Sequence, residues 1–488
     1  MNPPHFTDTP ARGAARPFGQ QRRTHLAGGE TVIRRPSALI ATGILAAVMA
    51  TVLAVAAVGP AQAKHLKRYP YTLVDPGTFG GPNSFLDGPV LLTSQGAFLD
   101  GVADTATRDG DYPHCPPPFG CSDRYIQHAF AWHNGRLSDL GALPGESSDA
   151  LVRLNSSGVG VGASEDGLID PFTKMAASVA VMFDHGKVIN LGALPGGFES
   201  LAQSIDNQGQ VAGFSSNGVR DLYACYLFGP EPSCGWPTQV RAVVWRHGVI
   251  SDLGTLGGLD AVAVAQNQRG EIAGQSYTSD QLSAGTSLPP QAPFLWTNGH
   301  MINLGTLGGA SGQANGLNGR GEVVGYSDLP GDRIFHPFLW NGRRMIDLTP
   351  RSRKGTANWV NEHGDVTGWT CGSLVCKAFL WRHGKLTILP AVGSAAWVNG
   401  KSINDRGEVV GDEADANDAN DNAFMAVLWA NGHAYNLNKL IAPSTEKLTD
   451  AQYINDQGNI VANAVLPNGD HRMVLLTRNR TVPLPTTH

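Results

Sequence analysis

The amino-acid sequence predicts an all-β protein, a β-propeller of four-stranded blades. Three observations predict it: a unit of roughly 50 residues that repeats from about residue 70 onwards, four short apolar segments in each unit, and 60 glycines among 488 residues. Four short strands per unit of that length are typical of a propeller blade. An open solenoid, which is also built from repeats, is the alternative fold.

The unit is clearest in residues 292–328, which read APFLWTNGHMINLGTLGGASGQANGLNGRGEVVGYSD. Its first apolar segment ends in an aromatic residue. One aromatic side chain per unit at a fixed strand position is typical of packing between blades, so we interpret this series as core. The series comprises Trp132, Phe183, Trp245, Trp296, Trp340, Trp381 and Trp429.

Tight turns separate the apolar segments. Asn298-Gly299 follows the first segment, and an Asn-Gly pair between apolar segments predicts a hairpin turn with positive φ at both positions. His247-Gly248 occupies the same place in another unit, which indicates that such histidines have a turn role. Each unit then closes with a G-x-x-x-G motif, as in residues 270–274.

The chain begins and ends with incomplete, complementary copies of the unit. Residues 71–75 resemble its second strand, whereas residues 472–477 resemble an unpaired first strand. Such ends predict a ring closed by one composite blade, which hides the sheet edges. Seven complete units and the composite one give eight blades; seven is the alternative if the degraded ends form no blade.

The first 63 residues predict a leader and a signal peptide. Arg34 and Arg35 precede an apolar run at 37–58, and Ala61-Gln62-Ala63 is a suitable cleavage site. We therefore expect one repeat domain at 64–488, secreted to the extracellular space or the periplasm. The apolar run is long, so an uncleaved membrane anchor is the alternative. The mature chain contains no other candidate membrane span.

Charge limits the classes of partner. Residues 1–63 hold six basic and two acidic residues, which leaves 30 basic and 39 acidic residues in the remainder. An acidic surface repels phosphate backbones, so we expect no nucleic-acid partner.

The six cysteines form three local pairs in sequence. An even number in an exported chain predicts disulfides, although six cysteines allow fifteen connectivities. The local pairs are Cys115/Cys121, Cys225/Cys234 and Cys371/Cys376.

The repeats resemble a known family. The pattern A-F-x-W-x-x-G, D-L-G-T-L-G-G and S-x-A-x-x-I-N-x-x-G-x-V-V-G is similar to the HAF repeat, most clearly at residues 252–258 and 303–309. The resemblance covers about residues 71–477 and implies an extracellular repeat protein. It implies no established activity and supplies no catalytic residues. The segments 347–350 and 387–390 lack the double glycine, so we expect altered corners there.

Length variation points to a binding face. It is concentrated between the fourth strand of one unit and the first strand of the next, which we interpret as inter-blade loops that share one face with the glycine-rich corners. Aromatic residues in these loops could stack on sugar rings or anchor a protein; packing against the blades is the alternative. The candidate ligand-binding residues are Tyr112, Tyr125, Tyr223, Tyr226, Trp236 and Trp369.

One of these loops is rich in oxygen donors. Spaced side-chain oxygens suit calcium, so calcium is the one candidate cofactor, and a solvated acidic loop is the alternative. The candidate ligands are Asp415, Asn417, Asp418 and Asp421.

The sequence contains no H-E-x-x-H zinc motif, no G-x-S-x-G elbow and no phosphate-binding loop. We therefore expect a secreted or cell-surface binding module that engages a glycan or a protein. A polysaccharide lyase or hydrolase on a propeller scaffold and a structural envelope or matrix protein are the alternatives.

Overall fold

A computed structural model of the chain describes residues 68–86, 99–110, 124–144, 149–227, 237–351, 354–373, 375–414 and 424–485. Within these residues, eight antiparallel sheets of four strands each form a ring, and each sheet is one blade. The prediction of an eight-bladed β-propeller is therefore confirmed. Two short 3₁₀ helices, Ala224–Leu227 and Leu437–Lys439, interrupt the connections between described strands.

The N-terminal strand β1 (Tyr71–Val74) belongs to the last blade and is described with it below. The strands of the first four blades are as follows, with the innermost strand first. Blade 1 contains β2 (Gly80–Phe85), β3 (Leu99–Arg108), β4 (Tyr125–His133) and β5 (Arg136–Asp139); blade 2 contains β6 (Asp149–Leu154), β7 (Gly160–Ile169), β8 (Ala176–Asp184) and β9 (Lys187–Asn190); blade 3 contains β10 (Ser200–Ile205), β11 (Val211–Arg220), β12 (Thr238–Arg246) and β13 (Val249–Asp252); blade 4 contains β14 (Ala261–Gln266), β15 (Ile272–Tyr277), β16 (Gln291–Thr297) and β17 (His300–Asn303).

The remaining blades follow the same order. Blade 5 contains β18 (Gly312–Leu317), β19 (Val323–Asp328), β20 (Phe335–Trp340) and β21 (Met345–Asp347); blade 6 contains β22 (Lys354–Val360), β23 (Val366–Cys371), β24 (Cys376–Arg382) and β25 (Lys385–Ile388); blade 7 contains β26 (Trp397–Ile403), β27 (Val409–Ala414), β28 (Phe424–Ala430) and β29 (His433–Asn436); blade 8 contains β30 (Lys447–Ile454), β31 (Ile460–Val465), β32 (His471–Arg478) and β1.

Blade 8 closes the ring. Strand β1 pairs with β32, in a register that runs from Tyr71 opposite Arg478 to Val74 opposite Leu475. The outermost strand of this blade thus comes from the N-terminal side of the chain and its other three from the C-terminal side. The predicted composite blade is present.

Each blade straddles two sequence units, which corrects our interpretation of the long loops. In blade 4, β14 and β15 end one unit, while β16 and β17 begin the next, and Tyr277 pairs with Gln291 across the variable segment. The variable segments therefore join the second and third strands of one sheet and are not inter-blade loops. They still lie on the face of the glycine-rich corners, because successive connections in an antiparallel sheet alternate between its two ends. We call this the loop-bearing face.

The aromatic series is packed in the core, as predicted. Trp245 and Trp429 are 1% and 2% exposed. Their indole N–H groups donate to the carbonyls of Leu191 at 2.9 Å and Pro390 at 2.7 Å, just after the outermost strand of the preceding blade. These side chains therefore fix neighbouring blades against each other.

The turn predictions are also confirmed. Asn298 and Gly299 have φ of 51° and 81°, and His247 and Gly248 have φ of 51° and 78°. The histidines at this position therefore adopt the left-handed conformation that the hairpin turn requires.

A close approach between strands explains the second glycine of G-x-x-x-G. A Cβ atom on Gly274 would lie 1.9 Å from the carbonyl oxygen of Val262, beside a bulge between Ala263 and Ala265. Any side chain at this position would force the two strands apart. In blade 8, where Ala462 occupies the equivalent position, β30 contains two bulges.

An asparagine belt links neighbouring blades on the opposite face. In the turns after the innermost strands of blades 2, 4, 5, 6 and 7, an asparagine side chain accepts hydrogen bonds from the turn N–H groups and donates to the equivalent backbone carbonyl of the next blade. Asp206 occupies the asparagine position in blade 3. The donations run from Asn155 to Asp206 (3.2 Å), Asn267 to Asn318 (3.0 Å), Asn318 to Asn361 (2.9 Å), Asn361 to Asn404 (2.9 Å) and Asn404 to Asn455 (3.0 Å).

Candidate ligand-binding site

A cavity of about 560 Å³ opens on the loop-bearing face. It is bordered by Thr286 and Leu288 of the β15–β16 loop and by Ala310 and Ser311 of the corner before β18. Loops and corners therefore meet around one concavity, as the prediction of a shared face requires. Blades 3, 4, 5 and 6 all contribute to its walls.

Aromatic side chains form much of this wall. Tyr326 lies 5.3 Å from Phe335, measured between ring centres, and Phe335 lies 6.1 Å from Trp369 in an edge-to-face arrangement. Trp369 in turn lies 5.0 Å from Trp397. We call these four residues the aromatic arc. Its first three members line the cavity, together with Tyr226 and Tyr277.

Amide side chains supply polar groups to the same cavity. Gln291 is 8% exposed and donates to the Ser311 hydroxyl at 2.8 Å, while its side-chain oxygen has no hydrogen-bond partner among the described residues. Asn315 donates to the Thr356 hydroxyl and to the Ala357 carbonyl, both at 2.9 Å. The Gln291 oxygen is thus a buried acceptor beside the cavity that the described residues leave unpaired.

Asp328 is the carboxyl group among the described lining residues. Burial, reinforced by the nearby Asp332 carboxylate, raises the pKa of Asp328 to about 6. Burial also raises the pKa of the Tyr277 and Tyr326 hydroxyls well above their usual range. At neutral pH the cavity therefore presents mainly a carboxylate acceptor and neutral phenol groups.

The structure brings two of the sequence-predicted aromatic residues together. Tyr226 and Trp369, which are 143 positions apart in the sequence, line the same cavity. Tyr223 is partly buried against a core cluster that includes Leu201, and its carbonyl accepts a hydrogen bond from the Tyr277 hydroxyl at 2.8 Å. The Tyr223 ring therefore packs against the blades, which is the alternative to ligand binding.

The other predicted residues lie elsewhere. Tyr125 lies in blade 1, where the Arg108 guanidinium is 5.4 Å from its ring centre, and it does not line the cavity. The remaining ones fall outside the described residues. They are Tyr112 and Trp236, and the candidate calcium ligands Asp415, Asn417, Asp418 and Asp421.

Sequence reasoning missed Tyr277, Tyr326 and Phe335 as lining residues. They lie at or near the ends of strands that flank the variable loops, whereas the predicted residues were taken from the loops themselves. They could have been predicted from the sequence as aromatic residues close to the ends of strands that flank variable loops.

One of the three predicted disulfides lies within the described residues. A disulfide joins Cys371, the last residue of β23, to Cys376, the first residue of β24. Cys371 follows Trp369 by two residues. Cys115, Cys121 and Cys234 lie outside the described residues, as does the Cys225 side chain.

The described residues contain no group of three or more His, Cys, Asp or Glu side chains placed to hold a metal ion. Nor does this part of the chain contain a helix with the length and apolar character needed to cross a membrane.

A smaller cavity of about 300 Å³ lies on the opposite face. Arg153, Trp359 and Tyr453 line it together with members of the asparagine belt, and the rings of Trp359 and Tyr453 are 5.6 Å apart. Burial lowers the pKa of Arg153 and raises the pKa of the neighbouring Asp100 to about 7.

No family model matches the sequence, and no curated protein shows significant similarity to it. Solved structures align with it at low identity. The β-propeller domain of the trilobed protease from Pyrococcus furiosus is 10% identical over 74% of this chain and 97% of that one, with a TM-score of 0.42. The acylaminoacyl peptidase of Pyrococcus horikoshii is 12% identical over 80% of this chain and 59% of that one, with a TM-score of 0.41. A polysaccharide lyase, an ulvan lyase, is 9% identical over 83% of this chain and 94% of that one, with a TM-score of 0.35. The protein's own sheet topology defines its class as an eight-bladed β-propeller with composite closure.

Proposed function

We propose that the protein is an exported carbohydrate-binding protein that holds a glycan in the cavity of its loop-bearing face. One observation carries the proposal: among the described residues, five aromatic side chains and three amide side chains, those of Gln291, Gln313 and Asn315, line a single concave site. Aromatic faces pack against the apolar C–H faces of sugar rings, and a few polar groups then fix orientation.

The polar groups match the chemistry of sugar hydroxyls. Each hydroxyl both donates and accepts, so a sugar needs donors and acceptors close together. The Asp328 carboxylate supplies acceptors, and the Tyr326 phenol supplies a donor. This mixture supports a glycan in preference to an apolar ligand.

Charge supports a neutral glycan. Asp328 in the cavity and Asp332 nearby are both acidic, and residues 64–488 contain nine more acidic than basic residues. Uronate or sulfated sugars would be repelled by this field. The Cys371–Cys376 disulfide supports export, because disulfides persist in oxidising compartments.

A second candidate function is glycan cleavage, and the raised pKa of Asp328 is the observation that favours it. Glycosidases use one carboxyl group of raised pKa as the proton donor to the leaving oxygen and a second carboxylate to attack the sugar or to activate water. Asp332, whose charge contributes to the raised pKa of Asp328, is the nearby carboxylate. Release of reducing ends from a bound glycan, abolished in Asp328→Asn, would support cleavage over binding alone.

The first experiment is isothermal titration of the purified protein with cellohexaose, maltohexaose, laminarihexaose, chitohexaose and hexagalacturonate. We expect binding of at least one neutral hexasaccharide, none of hexagalacturonate, and a loss of roughly tenfold or more in Trp369→Ala. Tyr125→Ala, which removes a predicted aromatic residue outside the cavity, is the matched control and should bind normally. Absence of binding, or an equal loss in both variants, would overturn the proposal.

A further inference from the structure

We propose that the binding site extends out of the cavity along the aromatic arc to Trp397, so that the protein recognises a chain of several sugar units. This inference rests on the proposed glycan function and adds the length of the ligand. Trp397 does not line the cavity, yet its ring lies 5.0 Å from Trp369 at an interplanar angle of 47°. The aromatic surface therefore continues one blade further than the cavity.

The position of Trp397 in β26 shows where the aromatic surface ends. Alternate residues of a strand share one face, so Trp397 and Asn399 lie on the same side of β26, while Lys401 lies at a bulge. These two and Lys401 are partly exposed, whereas Val398 and Gly400 between them are buried. β26 is the innermost strand of blade 7, so these partly exposed residues lie near the axis of the ring. The arc thus runs from the cavity to the innermost strand of the next blade.

Amide side chains follow the same path below the arc. Asn315 in blade 5 donates to Thr356 and Ala357 in blade 6. Asn358 in blade 6 donates to the Asn399 side chain at 2.8 Å and to the Gly400 carbonyl at 2.9 Å in blade 7. A polar ladder therefore crosses the three blades that the aromatic arc crosses.

The ladder ends at a charged group. The Lys401 ammonium lies 2.5 Å from Asp450 and 3.5 Å from Asp412. Each sugar unit has an apolar face and a rim of hydroxyl groups. An extended glycan therefore needs both aromatic surface and hydrogen-bonding groups along its length, and the aromatic arc and the polar ladder supply them. A single sugar or a disaccharide in the cavity would leave Trp397 and this end of the ladder uncontacted.

A comparison of disaccharide and hexasaccharide binding, with the same linkage in both, tests this inference separately from the proposed function. The probes are the cellulose, maltose, laminarin and chitin series, each tested at two and six units by isothermal titration. Wild-type protein should bind the hexasaccharide more tightly than the disaccharide. Trp397→Ala should weaken hexasaccharide binding roughly tenfold and leave disaccharide binding unchanged, whereas Trp369→Ala should weaken both.

Several outcomes would overturn the extension and leave the cavity site intact. These are equal wild-type affinities for two and six units, or hexasaccharide binding that Trp397→Ala does not weaken. An equal loss for both lengths in Trp397→Ala would likewise place Trp397 within the cavity site. If Trp397→Ala does not fold, Trp397→Phe replaces it, with a smaller loss expected for the hexasaccharide only. Failure of the wild type to bind either length of every series would overturn the proposed function itself.

Discussion

The guanidinium group of Arg478, at the end of β32, lies 5.1 Å from the ring centre of Tyr71, at the start of β1. Arg478 also donates to the Pro70 carbonyl at 2.9 Å, and the Tyr71 N–H donates to the Leu440 carbonyl at 3.1 Å. Tyr71 is 2% exposed, in a core cluster formed mainly by blades 7 and 8. This residue pair therefore holds the composite blade together.

Replacement of Tyr71 by alanine should destabilise the propeller by about 3–5 kcal/mol, because it empties a large buried site at the closure. Tyr71→Phe should be neutral or slightly stabilising, since the buried hydroxyl has no hydrogen-bond partner among the described residues. Urea unfolding followed by tryptophan fluorescence measures both. Equal losses in the two variants would show that the hydroxyl, and not the ring, is what stabilises the closure.

The asparagine belt predicts a loss of stability on removal of one donor. Asn318 donates to the Asn361 carbonyl at 2.9 Å and to the Glu322 carboxylate at 2.7 Å. Asn318→Asp removes both donations and places two carboxylates together, so the free energy of unfolding should fall by about 1–3 kcal/mol. Thermal unfolding checks this, and an unchanged melting temperature would contradict a structural role for the belt.

The gap in the belt predicts the opposite change. Asp206 accepts from the Gln208 and Gln210 N–H groups as the asparagines do, but a carboxylate cannot donate to the next blade. Asp206→Asn keeps the accepting oxygen and adds an N–H donor, so we expect a gain of about 1 kcal/mol. A lower melting temperature in Asp206→Asn would refute this explanation of the repeated asparagine.

A buried carboxyl group predicts that stability falls as pH rises. Asp260 accepts from the Val240 N–H at 2.7 Å, and its second oxygen has no hydrogen-bond partner among the described residues. Burial, with a contribution from Asp221, raises the pKa of Asp260 from 3.8 to about 7. The folded state then binds more protons than the unfolded state, so this contribution is present below pH 4 and is lost as pH rises through 7.

Urea unfolding at half-unit steps between pH 4 and 8 measures this dependence. One such group can give a slope of at most about 1.4 kcal/mol per pH unit. Asp260→Asn cannot ionise, so its stability should fall less steeply than that of the wild type over this range. Parallel profiles for the two proteins would show that Asp260 does not contribute to the pH dependence.

The sequence predicted the propeller because its local signals were strong. Four-stranded blades in a ring are indicated by the Asn-Gly and His-Gly turns, by one core aromatic residue per unit and by the complementary chain ends. It could not show where a blade begins, because a repeat looks the same from any starting point. Only strand pairing, such as that of Tyr277 with Gln291, locates the variable loops inside the blades.

The candidate site was only partly predictable for a related reason. Trp369 and Tyr226 could be chosen because they lie beside variable loops. Their meeting in one cavity with Phe335 depends on how three different blades converge around the ring. No local pattern encodes that convergence, since it follows from the closure of all eight blades.

The Cys371–Cys376 disulfide should contribute to stability with little effect on binding. It closes a loop with a sequence separation of 5, for which chain entropy predicts a contribution of about 2 kcal/mol. Trp369 is held independently of it, because β23 pairs on both sides, with Thr356 and with Ala378 opposite Trp369. The double variant Cys371→Ser/Cys376→Ser should therefore lose about 2 kcal/mol in urea unfolding and keep its hexasaccharide affinity within about twofold. A large loss of affinity without loss of stability would instead mean that the disulfide orders the loop for the ligand.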